Sequence, residues 1–130
     1  MSENDPVSAM LSNVLSCETR GRTECLIKPI STVIKKVLVV MKEEGYIGNF
    51  REIEDGRGNM LKVDLLGVIN KCGSIKPRYS VKKLSYEKFE KRYLPAKDIG
   101  ILVVSTSQGI MPHIQAKKKG LGGKLLMYCY

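Results

Sequence analysis

The sequence predicts an α/β protein of the α+β type, built from two small lobes. Amphipathic helical patterns alternate with short β-branched segments along the 130 residues. The composition changes after Leu66, where glycine, proline and basic residues become frequent. Hydrophobic content of 43% and charged content of 27% are typical of a folded domain. We therefore expect an N-terminal α-β-α-β-β lobe in two layers (residues 1–66) and a mainly β C-terminal lobe with short helices (67–130).

The N-terminal lobe begins with a helix for which Asp5 is the expected cap and Pro6 the first helical residue. Its apolar stripe has helical spacing and comprises Val7, Met10, Leu11, Val14 and Leu15. A short apolar run at residues 25–27 predicts a strand, which Pro29 ends.

A second helix is expected after Ser31, which can accept a hydrogen bond from the first turn. We expect this helix to end at Gly45. The apolar stripe of the helix comprises Val33, Ile34, Val37, Leu38 and Met41. Residues 50–54 and 60–66 flank the loop 55–59, which has the Gly and Asn content of a hairpin turn.

The C-terminal lobe is expected to contain a short helix through Tyr93, with Ser85 as its cap and Leu94-Pro95 as its end. Residues 99–105 are apolar and β-branched, which predicts a buried strand. A helix after Pro112 should end at Gly120, and residues 124–130 form the last strand.

The excess of positive charge is confined to the second half of the chain. Residues 1–65 hold 9 basic and 10 acidic side chains, whereas residues 66–130 hold 13 basic and 3 acidic ones, a net charge of +10. A one-sided positive field attracts polyanions and releases their counterions. Nucleic acid is therefore the first expected partner, ahead of an anionic membrane surface or a purely solubilising role.

The sequence gives little indication of a metal site or of membrane association. The cysteines, at positions 17, 25, 72 and 129, form no CxxC pair and have no neighbouring His, so we expect buried thiols, no metal and no cofactor. No apolar run approaches the ~20 residues that span a bilayer. The first residues lack the basic character of a secretory signal, which favours a cytoplasmic protein.

The segment that most suggests a binding site follows the predicted buried strand. Ser105, Thr106, Ser107, Gln108 and Gly109 place hydroxyls and an amide at a strand exit without bulk. Such a loop can reach phosphate oxygens, 2′-hydroxyls and base edges in RNA, although an ordinary polar turn has the same composition.

Three further groups carry charge or allow close approach. Lys117, Lys118 and Lys119 stand at a helix end, where they also complement the helix dipole. The chain can approach a ligand or another strand closely at Gly122 and Gly123, which precede Lys124. Lys76, Arg78 and Tyr79 combine charge with an aromatic face suited to base stacking.

No catalytic constellation emerges from the sequence. His113 is the only histidine, and its place at a helix start predicts a solvent-facing side chain rather than a general base. The glycines match neither GxGxxG nor GxxxxGK[ST], which argues against a nucleotide-binding loop.

Motifs spread over nearly the whole chain resemble the family of the eighth small-subunit ribosomal protein, in its archaeal and eukaryotic branch. The matching segments are Lys28-Pro29, Gly45-Tyr46-Ile47-Gly48, Glu54-Asp55, Asn70-Lys71-Cys72-Gly73, Ile75-Lys76-Pro77-Arg78, Leu94-Pro95-Ala96, Ser105 to Met111, and Gly120-Leu121-Gly122-Gly123-Lys124.

The resemblance implies two α/β lobes and no enzymatic activity. It implies that residues 105–109 and 122–124 contact an irregular helix in the central domain of small-subunit ribosomal RNA. It further implies support of platform assembly, neighbouring ribosomal proteins as partners, and repression of the protein's own operon messenger RNA. Relatives carry Lys where this chain has Thr32, which argues against phosphate binding at the very start of the second helix, although Lys35 and Lys36 can substitute one turn later. The secondary RNA-binding set near this helix comprises Lys28, Ser31, Lys35 and Lys36.

Two other functions remain open from the residues alone. A small nucleic-acid-processing enzyme would use the Ser/Thr loop, and RNA cleavage or modification would reveal it. A basic protein-interaction module would bind acidic partners and be indifferent to RNA structure. We expect neither a membrane nor a small-molecule substrate.

Overall fold

The computed structural model describes residues 6–28, 31–54, 56, 59–75, 79–82, 85–96 and 99–130. The chain divides into two compact units, residues 1–69 and 70–130. This division falls after Ile69, whereas the change in composition lies after Leu66. The first unit carries the predicted α-β-α-β-β order, and the second is mainly β with two short helices, so the predicted fold class is confirmed.

The first unit contains α1 (Pro6–Thr19), β1 (Glu24–Ile27), α2 (Thr32–Glu43), β2 (Ile47–Ile53) and β3 (Met60–Leu65). Its antiparallel sheet has the order β1-β3-β2. The predicted cap Asp5 and breaker Pro29 lie outside the described residues, as does most of the predicted hairpin loop.

Both helices of the first unit bury the predicted apolar stripe with small differences. Four of the five residues of the α1 stripe are buried, and Leu15 is half-buried. In α2 the Ser31 hydroxyl accepts a hydrogen bond from the Ile34 amide at 3.2 Å, as expected of an N-cap. Val33, in the first turn, is exposed, whereas Val40, which lies on the same side of the helix, is buried.

The second unit contains β4 (Cys72–Ser74), β5 (Ser80–Val81), α3 (Tyr86–Tyr93), β6 (Ile101–Thr106), β7 (Gly109–Pro112), α4 (His113–Lys119) and β8 (Gly123–Cys129). Its antiparallel sheet has the order β4-β8-β6-β7, and β5 pairs with the first residues of β8. The periodicity does not predict β4, β5 or β7, which are too short to show an alternating pattern.

The core of the second unit lies between this sheet and its helices. Tyr86 and Phe89 of α3 pack with Leu102, Val104 and Leu125 of β6 and β8. The four residues 101–104 are all buried, as expected for this strand, but β6 begins two residues later than predicted and Ile99 is exposed. The Tyr86 hydroxyl donates to the Leu121 carbonyl at 2.8 Å, and burial raises the pKa of this phenol.

Candidate nucleic-acid interface

The predicted hydroxyl loop is the tight turn between β6 and β7. Thr106 and Gly109 are cross-strand partners, so Ser107 and Gln108 form the turn. The Thr106 hydroxyl donates to the Gly109 carbonyl at 2.8 Å and accepts from the Gln108 amide at 3.1 Å. This hydroxyl therefore holds the turn together, and its one donor and one of its two acceptor positions are already used.

The two serines on either side of Thr106 differ from it. Ser105 is half-buried and Ser107 is exposed. Neither hydroxyl has a hydrogen-bond partner among the residues that the structure describes. These serines consequently retain both donor and acceptor capacity for a ligand.

The structure brings the glycine pair directly beside this turn. Gly123 is the cross-strand partner of Thr106 and also of Val81 on β5. A Cβ built on Gly123 would lie 2.1 Å from the Ser105 carbonyl oxygen, so only glycine allows β8 to approach β6 this closely. Gly122 is half-buried and immediately precedes the strand.

Strand register aligns three polar residues across β5, β8 and β6. Lys124 is the partner of Ser80 on one side and of Ser105 on the other. Directly opposed residues of an antiparallel pair share one face, so the Lys124 side chain emerges between two serine side chains. We call Ser80, Lys124 and Ser105 the polar row. Ser80 was not predicted as a site residue, because β5 has only two residues and no pattern in the sequence identifies it as a strand.

Tyr79 lies next to the polar row but its ring is largely occupied. Its carbonyl accepts from the Leu125 amide at 3.0 Å. The ring packs against Phe89 at a centroid distance of 5.4 Å, and the Arg92 guanidinium carbon lies 5.4 Å from its centroid. Lys76 and Arg78, the other members of this predicted group, lie outside the described residues.

The three lysines of α4 are not equivalent. The helix ends at Gly120 in the left-handed conformation (φ 68°), as the sequence predicts. Lys117 forms an ion pair with Glu90 of α3. Lys118 and Lys119 are exposed, and no acidic partner for either is found within the described part of the chain. Their charges are therefore available to a polyanion, while that of Lys117 is partly compensated.

His113 corrects one expectation, because it is buried rather than solvent-facing. Only 2% of its surface is exposed. Its Nδ1 accepts a hydrogen bond from the Leu102 amide at 3.1 Å, and its Nε2 lies 3.7 Å from a Glu90 carboxylate oxygen. The helix start packs onto β6, so this side chain satisfies the backbone of the buried strand.

The secondary RNA-binding set lies in the first unit, where Lys35 and Ser31 already interact with other residues of that unit. Lys35 forms an ion pair with Glu52 at 3.0 Å. The Ser31 hydroxyl caps α2. Lys28 and Lys36 are exposed. Among these four residues, Lys36 has the ammonium group without a partner in the described residues.

The described residues form neither a candidate metal site nor a membrane-spanning helix. No group of three or more His, Cys, Asp or Glu side chains that could hold a metal ion occurs among them. None of the described helices is long and apolar enough to cross a membrane. The Cys25 thiol has its pKa raised to about 12, foremost by burial and then by a hydrogen bond with Cys17.

These features define a class: a two-unit α+β protein whose second unit presents hydroxyls and uncompensated lysines at one end of an antiparallel sheet. The sequence matches the family described as ribosomal protein S8 over residues 5–130, nearly the whole chain, and the protein belongs to that family. It is thus a structural protein of the small ribosomal subunit, a cytoplasmic complex, and it binds small-subunit ribosomal RNA beside neighbouring ribosomal proteins. The family is one of RNA-binding proteins and not of enzymes.

Proposed function

We propose that the second unit recognises an irregular helix in the central domain of small-subunit ribosomal RNA and thereby supports assembly of the platform. The observation that carries this proposal is the polar row, since it places Lys124 between the hydroxyls of Ser80 and Ser105. A distorted helix exposes base edges that a regular A-form duplex keeps in its deep, narrow major groove.

Each part of the surface has its own role in this proposal. Lys118, Lys119 and Lys124 hold the phosphate backbone, which supplies affinity without sequence information. Ser105 and Ser107 donate to and accept from base edges that become accessible where the helix is irregular. Thr106, Gly109 and Gly123 fix the backbone so that these hydroxyls keep their positions.

The direct test replaces Ser107 with alanine. RNA binding is titrated with a central-domain fragment and with a regular duplex of equal length, at several salt concentrations. Loss of a buried hydrogen bond should weaken binding of the fragment by about 1–3 kcal/mol and leave the duplex unaffected.

A matched control is Ser85→Ala, because Ser85 precedes α3 in the same unit and its side chain makes no capping hydrogen bond. This variant should bind both RNAs as the parent does. If Ser107→Ala loses less than about 0.3 kcal/mol for the fragment, Ser107 does not belong to the site. Equal affinity of the parent for fragment and duplex would refute shape recognition altogether.

We further propose that the same surface represses the protein's own operon through a messenger RNA that mimics the ribosomal helix. An operon RNA fragment should then compete with the ribosomal fragment, and Ser107→Ala should weaken both by a similar factor. Competition that survives this substitution would separate the two RNAs and contradict a shared site.

A further inference from the structure

The two cysteines of the second unit lie directly opposite each other on neighbouring strands. Cys72 of β4 is the cross-strand partner of Cys129 of β8. The adjoining residues Lys71 and Tyr130 exchange both backbone hydrogen bonds, each at 2.9 Å. Pairs alternate along an antiparallel ladder, so Cys72 and Cys129 form a pair of the non-hydrogen-bonded type, in which the side chains approach most closely.

This placement satisfies the geometric demand of a disulfide. A disulfide usually joins residues whose Cα atoms are ~4.4–6.8 Å apart, and non-hydrogen-bonded pairs have Cα separations of about 4.5 Å. Both side chains share one face of the sheet. The sulfur atoms can therefore be joined by side-chain rotation and small backbone adjustments. Both residues carry thiols in this structure.

We propose that Cys72 and Cys129 are an oxidation site that forms an intramolecular cross-strand disulfide when the protein meets a small-molecule disulfide such as oxidised glutathione. Cys72, as thiolate, attacks one sulfur of the small molecule and displaces one thiolate, which leaves a mixed disulfide. Cys129 then loses its proton to solvent, attacks the Cys72 sulfur and displaces the second thiolate. The protein gives up two electrons, and the small disulfide leaves as two thiols after protonation.

Access to the pair depends on the strand that carries Cys72. β4 has three residues and lies at the edge of the sheet, where it pairs with β8. Cys72 is 4% exposed and Cys129 is fully buried. Short edge strands open locally at a low cost in free energy, so Cys72 is the thiol of this pair that first meets the oxidant.

The bond would close a ring that contains most of the second unit. The polar row and the β6–β7 turn both lie between residues 72 and 129. Opening of β4 would no longer separate it from β8, and the unfolded chain would lose conformational freedom. The oxidised protein should therefore resist denaturant better than the reduced one.

The test maps disulfides in the folded full-length chain after incubation with oxidised glutathione. The chain is alkylated and digested without reduction, and linked peptides are identified by mass spectrometry. We expect a peptide pair joining Cys72 to Cys129 at least tenfold more abundant than any other pairing, together with a higher urea midpoint. The urea-unfolded chain, oxidised in parallel, should show mixed pairings.

Two variants sharpen the result. Cys17→Ser removes the half-buried thiol that can compete for the oxidant, and it should keep the link between residues 72 and 129. Cys72→Ser should lose both the linked peptide and the rise in urea midpoint. Glutathione adducts alone, or a dominant link between Cys17 and Cys25 in the folded parent chain, would overturn the proposal without the need for any variant.

Discussion

The two units use their charged side chains in different ways. In the first unit, one lysine of α2 and one of β3 have acidic partners: Lys35 lies 3.0 Å from Glu52 and Lys62 lies 2.7 Å from Glu24. In the second unit the described carboxylates, Glu87 and Glu90, both belong to α3. Among the described residues, Lys124 of the polar row and Lys118 and Lys119 of α4 consequently have no acidic partner.

The difference in net charge between the two halves of the sequence arises more from the smaller number of acidic residues in the second half than from its larger number of basic residues. The second half of the sequence holds 13 basic residues against 9 in the first half, but only 3 acidic residues against 10. A field created in this way needs no dense lysine cluster, and its lysines can stand apart on β8 and α4. Such spacing suits contacts with successive phosphates rather than a single anion.

The largest expected effect comes from the glycines that allow strands to approach each other. Gly123→Ala in the second unit should reduce the free energy of unfolding by about 3 kcal/mol, because the new methyl group would overlap the Ser105 carbonyl. Gly48→Ala in the first unit should cost less than about 1 kcal/mol, since its Cβ would lie 3.2 Å from the Asp64 Cβ. Urea unfolding followed by circular dichroism measures both, and equal costs would contradict the close approach at Gly123.

The buried histidine of the second unit should give the next largest effect. His113→Leu leaves the buried Leu102 amide without an acceptor, so we expect a loss of about 2 kcal/mol in the free energy of unfolding. His113→Asn offers an oxygen close to the position of Nδ1 and should recover part of this loss. If both variants are equally unstable in urea, the contribution of His113 comes from packing and not from the hydrogen bond.

Glu18 tests a comparable backbone contact in the first unit. Its carboxylate accepts from the Gly67 amide at 3.1 Å and from the Ile69 amide at 2.9 Å. Glu18→Ala should therefore cost about 1.5 kcal/mol in urea unfolding. Glu43→Ala, at an exposed position of α2, should change the stability by less than about 0.5 kcal/mol. A Glu18 variant as stable as this control would show that the two amides are equally well satisfied by water.

Structural features that depend on neighbouring residues can be predicted from the sequence, whereas features that depend on contacts between distant residues cannot. Both long helices, the Ser31 cap and the Gly120 stop follow from neighbouring residues, and the structure confirms them. β5 has two residues, and its position depends on pairing with β8, which no local pattern encodes. Ser80 was missed for this reason.

The candidate site shows the same limit at the level of single side chains. The sequence groups Ser105, Thr106 and Ser107 together, but the turn uses the Thr106 hydroxyl internally. It also treats the α4 lysines as equal, whereas Glu90, distant in sequence, binds one of them. His113 was expected to face solvent because it follows Pro112 at a helix start, while its burial results from packing on β6.

A smaller effect on RNA binding is expected from the lysines of α4, of which Lys117 has an acidic partner and Lys118 has none among the described residues. Lys118→Ala should weaken binding of the fragment and of the duplex alike, and reduce the slope of log affinity against log salt by up to about 1. Lys117→Ala should change this slope less, because Glu90 already neutralises part of its charge. The two slopes come from RNA titrations at several salt concentrations, and a larger change for Lys117 would contradict the ion pair in solution.

The smallest expected effect concerns the exposed carboxylate of Glu52 in the first unit. Hydrogen bonds from Asn59 at 2.7 Å and then from Lys35 at 3.0 Å lower the pKa of Glu52 below its usual 4.5. Because the folded state holds the charged form more strongly, this contribution is complete above the usual pKa and is lost as the pH falls through the lowered one. Glu52→Gln should therefore be slightly less stable than the parent at neutral pH and low salt, and the difference should shrink in acid and with added salt. Urea unfolding at neutral pH and at about pH 3 measures the difference, and a gap that widens in acid would mean that the charge of Glu52 does not stabilise the fold.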